Sequence, residues 1–85
     1  MIVEGRVQGV GFRGTCQMAA LRNHVTGSVK NLSNGMVEIY AQGEEENIDK
    51  FLIAIRNGNQ FIRIDNITTK EVPLVEGEKR FGYGQ

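Results

Sequence analysis

Apolar residues along this chain switch between two spacings, and the switches mark out its elements. Between residues 12 and 24, Phe12, Cys16, Ala19 and Ala20 recur at helical intervals while Gln17, Arg22 and Asn23 supply a polar side. That spacing predicts a helix, which Thr26-Gly27 should break. Between residues 44 and 57, Ile48, Phe51, Leu52 and Ile55 fall at i, i+3, i+4 and i+7. One apolar stripe of this kind names the face that a second helix turns to the core. Glu44, Glu45 and Glu46 in its first turn and Arg56 in its last complement the helix macrodipole by about 0.3–1 kcal/mol each. Gly58 then stands at the position of a C′ residue.

Elsewhere the period is that of a strand. Val37, Ile39 and Ala41 alternate with Met36, Glu38 and Tyr40. The run 36–42 connects to 28–32 through Ser33-Asn34-Gly35, and because Asn-Gly tolerates positive φ, a hairpin with a type I′ turn is predicted. Residues 1–5 read as the end of a strand that leads into the Gly-spaced loop Gly5-Arg6-Val7-Gln8-Gly9-Val10-Gly11. Residues 61–72, rich in Ile and Thr, read as another strand whose alternation slips between Ile64 and Ile67, as a bulge or bend would make it. Pro73 closes it. A turn through Glu76-Gly77-Glu78 precedes a short last strand over 80–83, with Phe81 and Tyr83 on one face.

The order is therefore strand, helix, two-stranded hairpin, helix, strand and a short final strand. Amphipathic helices and a sheet bury their apolar faces against each other, and the economical packing places both helices on one face of an antiparallel or mixed sheet. The expected fold is a ferredoxin-like α/β sandwich of the α+β class. At 85 residues the chain is shorter than the ~100–200 residues usual for a domain, so one domain over 1–85 is expected.

Composition narrows the partners. Ten Lys+Arg balance ten Asp+Glu, and the 24% charged and 40% hydrophobic content is that of a globular chain rather than a disordered one. Zero net charge denies it the broad positive field that sequence-independent nucleic-acid binding uses. A single cysteine excludes an internal disulfide or a multi-thiolate zinc site, and a free thiol suits a reducing compartment, so a cytoplasmic location is expected. No run approaches the ~20 apolar residues of a membrane span, and residues 1–5 lack the apolar run of a signal peptide. Neither nucleic acid nor a membrane is thus an expected partner, and a monomer is expected.

Eleven glycines against one proline is the unusual feature, and it concentrates attention on Gly9-Val10-Gly11-Phe12-Arg13-Gly14. The pattern matches G-x-G-x-x-G, but a dinucleotide site needs a parallel strand after the helix, an acid near its end and a second nucleotide-binding half. Here the helix leads into a hairpin and the chain is too short. No Gly-Lys-Ser/Thr follows the loop, so the Walker A pattern is absent too. What remains is a glycine loop feeding a helix N-terminus, whose N–H groups can cradle an anion. Arg13 sharpens this, because a cation in the first turn opposes the helix dipole at a cost of a few tenths to ~1 kcal/mol unless an anion sits between them. A guanidinium matches two phosphate oxygens. A solvated Arg at a frayed helix start accounts for the same residue equally well. Asn31, on the Val29 face of its strand, could orient a water or a substrate oxygen; on residue chemistry alone, local capping of the turn is the favoured role.

The segment Gly5-Arg6-Val7-Gln8-Gly9-Val10-Gly11-Phe12-Arg13, followed by Gly27-Ser28-Val29-Lys30-Asn31, Asn34-Gly35-x-Val37-Glu38 and Gly43, closely resembles the acylphosphatase family through nearly the whole chain. The resemblance implies the ferredoxin-like fold and hydrolysis of the carboxyl–phosphate bond of acyl phosphates without metal or cofactor, with inorganic phosphate as product and inhibitor. It implies that Gln8, Gly9, Val10, Gly11, Phe12 and Arg13 wrap the phosphoryl group with backbone amides, that Arg13 clamps its oxygens and that Asn31 orients the attacking water. The chain departs from the family pattern at Gly14 and Ser28, where aromatics are common, and in a first strand that starts several residues later.

Other residues take plainer roles. Cys16 belongs to the apolar stripe of the first helix, His24 to that helix's C-terminal cap, Glu44-Glu45-Glu46 to a helix-start charge bias, and Arg6 to solvent. Two rival functions share the fold. One is a phosphate- or anion-binding module with little or no turnover. The other is an RNA-binding domain, which would want exposed aromatics on the central strands, where only Tyr40 is suitably placed.

Overall fold

In the computed structural model, which describes residues 1–84, both predicted helical stripes face the core. The elements in chain order are β1 (Ile2–Arg6), α1 (Phe12–Arg22), β2 (Thr26–Asn31), β3 (Val37–Gln42), α2 (Glu45–Arg56), β4 (Arg63–Thr68) and β5 (Phe81–Tyr83). α1 buries Phe12, Cys16, Ala19 and Ala20, and α2 buries Phe51 and Ile55 with Ile48 and Leu52 partly covered. Both pack on a sheet of order β4-β1-β3-β2-β5, antiparallel except where β5 joins β2 in parallel. This is the ferredoxin-like α+β arrangement with a fifth strand added at the β2 edge. Val3, Val29, Val37 and Ile39 supply the sheet side of the core. Each large side chain fully buried there contributes roughly 1.5–3 kcal/mol.

Several boundaries differ from the sequence expectation, each for a local reason. α1 ends at Arg22, before both residue 24 and the predicted break at Thr26-Gly27. Asn23 Nδ2 donates to Ala19 O at 2.8 Å, His24 turns left-handed at φ 55°, and Val25 N–H closes on Ala20 O at 2.9 Å. That last bond is the six-to-one link of a Schellman cap, with Val25 and Ala20 both buried beside it. The 33–35 turn is not type I′, because Gly35 has φ 88° while Asn34 does not have positive φ. Leu32 N–H reaches Met36 O at 2.9 Å and Gly35 N–H reaches Leu32 O at 3.3 Å, a three-residue loop closed by a left-handed glycine.

β4 is shorter than the predicted 61–72. Its start is delayed because Phe61 and Ile62 N–H both turn in to Asn59 Oδ1, at 2.8 and 3.1 Å. Its end is set by the Ile2↔Thr68 pair, the last of the β1–β4 ladder. The slip in alternation is a real bulge, since Glu4 pairs with Asn66 and Gly5 with Ile64, leaving Asp65 extra. Gly58 follows the C-cap Asn57 but does not have positive φ; it is small because a Cβ there would run into Thr15 Cγ2. The end of α2 therefore lies directly against the first turns of α1.

Candidate active site

The loop between β1 and α1 owes its shape to two left-handed glycines. Gly9 has φ 72° and Gly11, the N-cap of α1, has φ 79° and ψ 17°, conformations that residues with a Cβ seldom adopt. Between them Val10 is partly buried against the core. Alternating handedness of this kind turns successive N–H groups toward one concave side. The first helical closure is Thr15 N–H to Gly11 O at 3.0 Å. Among the described residues, the amides from Gly9 through Gly14 meet no protein acceptor. Unsatisfied N–H groups at a helix start carry its positive dipole end. No acidic residue occupies the first turn and no side chain caps it.

These amides border a cavity of about 120 Å³ that Gly9, Gly11, Arg13, Gly14, Asn31 and Tyr83 line over the buried Val7 and Phe12. Arg13 and Asn31, far apart in sequence, thus share one concavity. Asn31 gets there as the exposed last residue of β2, opposite Val37 in the ladder. Gln8 is placed differently from the other loop residues. Its side chain turns to the β2–β3 hairpin, where Nε2 donates to Leu32 O and Met36 O at 2.8 Å each. It ties the loop to the hairpin that carries Asn31.

Sequence reasoning missed Tyr83. The Arg13 guanidinium carbon lies 4.9 Å from the Tyr83 ring centroid, and a Cβ at Gly14 would come within 3.6 Å of its hydroxyl. The alternation of β5 places Tyr83 on the same face as Phe81, whose ring packs on Phe51 with centroids 5.7 Å apart. What the alternation could not tell was that β5 joins the β2 edge, beside α1. One turn along α1, Cys16 is buried and burial pushes its thiol up to about 12, so it takes no nucleophilic part.

Fold and site together define a ferredoxin-like α+β protein with an amide-lined, arginine-bearing cradle at one end of its sheet. Residues 1–83 match the acylphosphatase family model. The chain is 49% identical over 79 residues to an acylphosphatase of Clostridium acetobutylicum, covering 93% of this chain and 87% of that one. The crystal structure of acylphosphatase from Bacillus subtilis superposes with a TM-score of 0.89 at 43% identity, covering 99% of this chain and 93% of that chain. An acylphosphatase structure from Coxiella burnetii gives 0.84 at 35% identity, covering 98% and 86%. The chain belongs to the acylphosphatase family, enzymes that hydrolyse acyl phosphates.

Proposed function

We propose that this chain cleaves the carboxyl–phosphate bond of small acyl phosphates at the cradle between β1 and α1, with no metal or cofactor. The observation that carries the reading is the convergence of acceptor-less amides from Gly9 to Gly14 with Arg13 and Asn31 around one small cavity. In this reading the amides and the Arg13 guanidinium hold the phosphoryl oxygens, and Asn31 aligns a water with the phosphorus. The water oxygen bonds to phosphorus as the phosphorus–carboxyl oxygen bond breaks, the carboxylate departs, and the water's proton passes to a phosphate oxygen. Such a transfer asks chiefly for positioning and for charge stabilisation on the equatorial oxygens, which amides and one guanidinium supply. The carboxylate is a good leaving group, so a protein general acid is not required.

The test is steady-state hydrolysis of benzoyl phosphate or acetyl phosphate by the purified protein with a chelator present. Turnover well above the spontaneous rate, inhibited competitively by inorganic phosphate, is expected. Phosphate binding without turnover would replace this reading with an anion-binding module.

A further inference from the structure

Asn59 lies outside the loop but fixes one of its peptide units. It sits between α2 and β4, where its Oδ1 accepts from Phe61 and Ile62 N–H at 2.8 and 3.1 Å. These bonds fix the amide's orientation and leave Nδ2 pointing away from the turn. Nδ2 then donates to Val10 O at 3.0 Å, across 49 residues of sequence. The turn itself is anchored, because Ile62 is buried in the core and Gly58 abuts Thr15 of α1.

Val10 O belongs to the peptide unit whose other end is Gly11 N–H. In a trans peptide the C=O and N–H point in opposite directions, so a carbonyl held toward Asn59 sends the Gly11 N–H to the opposite side. That unit is the one most in need of holding. It is flanked by Gly11 and preceded by Gly9, both left-handed, and glycine crosses between backbone regions with little steric penalty. A flip would place the Val10 carbonyl oxygen where an anion's oxygen should sit.

We propose that Asn59 is a positioning residue for the phosphate cradle, locking the Val10–Gly11 peptide with its N–H turned inward. The inference rests on the cradle being the site of acyl phosphate hydrolysis. Donors fixed before the substrate arrives need no reorganisation during reaction.

Asn59→Ser separates the two halves of the side chain's work. A serine Oγ still accepts from the turn N–H groups but is too short to reach Val10 O. In this variant the inhibition constant for inorganic phosphate should rise and kcat/KM for benzoyl phosphate should fall, each about five- to tenfold, the scale of one hydrogen bond. The melting temperature should fall by no more than about 4–8 °C, the shift of ~1 kcal/mol in a domain of this size, which leaves the variant folded at 25 °C. In ¹⁵N-resolved NMR titrations with inorganic phosphate, the Gly11 amide should shift strongly in wild type and weakly in the variant. Unchanged phosphate inhibition and kcat/KM in Asn59→Ser, with wild type active, would overturn the inference alone. A loss of activity that follows a fall in melting temperature while the Gly11 response is intact would also overturn it, by making Asn59 merely structural. An inactive wild type that does not bind phosphate would instead remove the functional reading beneath it.

Discussion

The guanidinium of Arg13 rests over the ring of Tyr83, 4.9 Å from its centroid, joining the first turn of α1 to the last strand of the sheet. Among the described residues no carboxylate forms an ion pair with Arg13. A carboxylate partner would compete with an incoming anion for the same donors, whereas an aromatic face narrows the side chain's freedom and leaves those donors free. A cation–π contact at a part-exposed site is worth about 0.5–1 kcal/mol. Tyr83→Ala should therefore raise the inhibition constant for inorganic phosphate about two- to fivefold, and Tyr83→Phe should retain most of the wild-type value. Equal values for all three proteins would show that the ring does nothing for Arg13.

Arg13 and Asn31 share the cavity but are assigned different tasks, and the kinetics of their variants should differ in kind. Removing one donor that stabilises transition-state charge costs about 10²–10³ in kcat. Arg13→Ala should lose at least that in kcat/KM and bind phosphate poorly. Asn31→Ala should lose kcat on the same scale while phosphate still inhibits near its wild-type concentration, because aligning water does not help hold the product. Parallel losses of phosphate binding in both variants would assign Asn31 to the cradle instead.

Much of the fold was legible because its signals are local. The stripe Ile48, Phe51, Leu52, Ile55 and the alternation from Val37 to Ala41 each lie within one element, and both are read out in the buried positions. The bulge at Asp65 was visible as a slip in alternation. Turn type was less legible, since Asn-Gly permits a type I′ turn without requiring it, and the hydrogen bonds of Leu32 and Gly35 select another. The loop that borders the cavity was legible as a contiguous glycine-spaced stretch, but not that Gln8 would turn its side chain to the β2–β3 hairpin. Residue chemistry alone favoured a local cap for Asn31, and only the family resemblance made it a candidate beside Arg13, whose cavity it lines. Tyr83 and Asn59 were beyond reach, because their contacts with Arg13 and Val10 depend on which sheet edge β5 joins and how the end of α2 meets α1. Neither is encoded in a period.

Gly14 offers a stability test inside the same helix. It lies in α1 without positive φ, and the nearest neighbour of an added Cβ is the Tyr83 hydroxyl at 3.6 Å, an ordinary van der Waals contact. Nothing in the fold demands glycine there. Glycine within a helix costs ~0.8–1 kcal/mol relative to alanine. Gly14→Ala should then raise the melting temperature by about 4–8 °C, the shift expected of ~1 kcal/mol in a domain of this size. A thermal melt that moves downward would mean that the site requires backbone freedom at this position.

Cys16 makes the alkaline limb of stability predictable. Its thiol is buried without a partner charge, and burial raises its pKa from the ordinary 9.0 to about 12. Well below pH 9 both folded and unfolded chains keep the proton, and the thiol adds no pH dependence. Between pH 9 and about 12 the unfolded chain releases it while the folded chain retains it, so the folded state binds more protons and stability falls as pH rises. The slope from this one group approaches about 1.4 kcal/mol per pH unit. Tyrosines and lysines also titrate there, and Cys16→Ala isolates the thiol by leaving them in place. The variant should be less stable than wild type at pH 8, from the lost packing, and the gap should narrow steadily from pH 9 to 11 in urea unfolding at fixed temperature. Curves that stay parallel over that range would show that Cys16 ionises in the folded protein nearly as readily as in the unfolded chain.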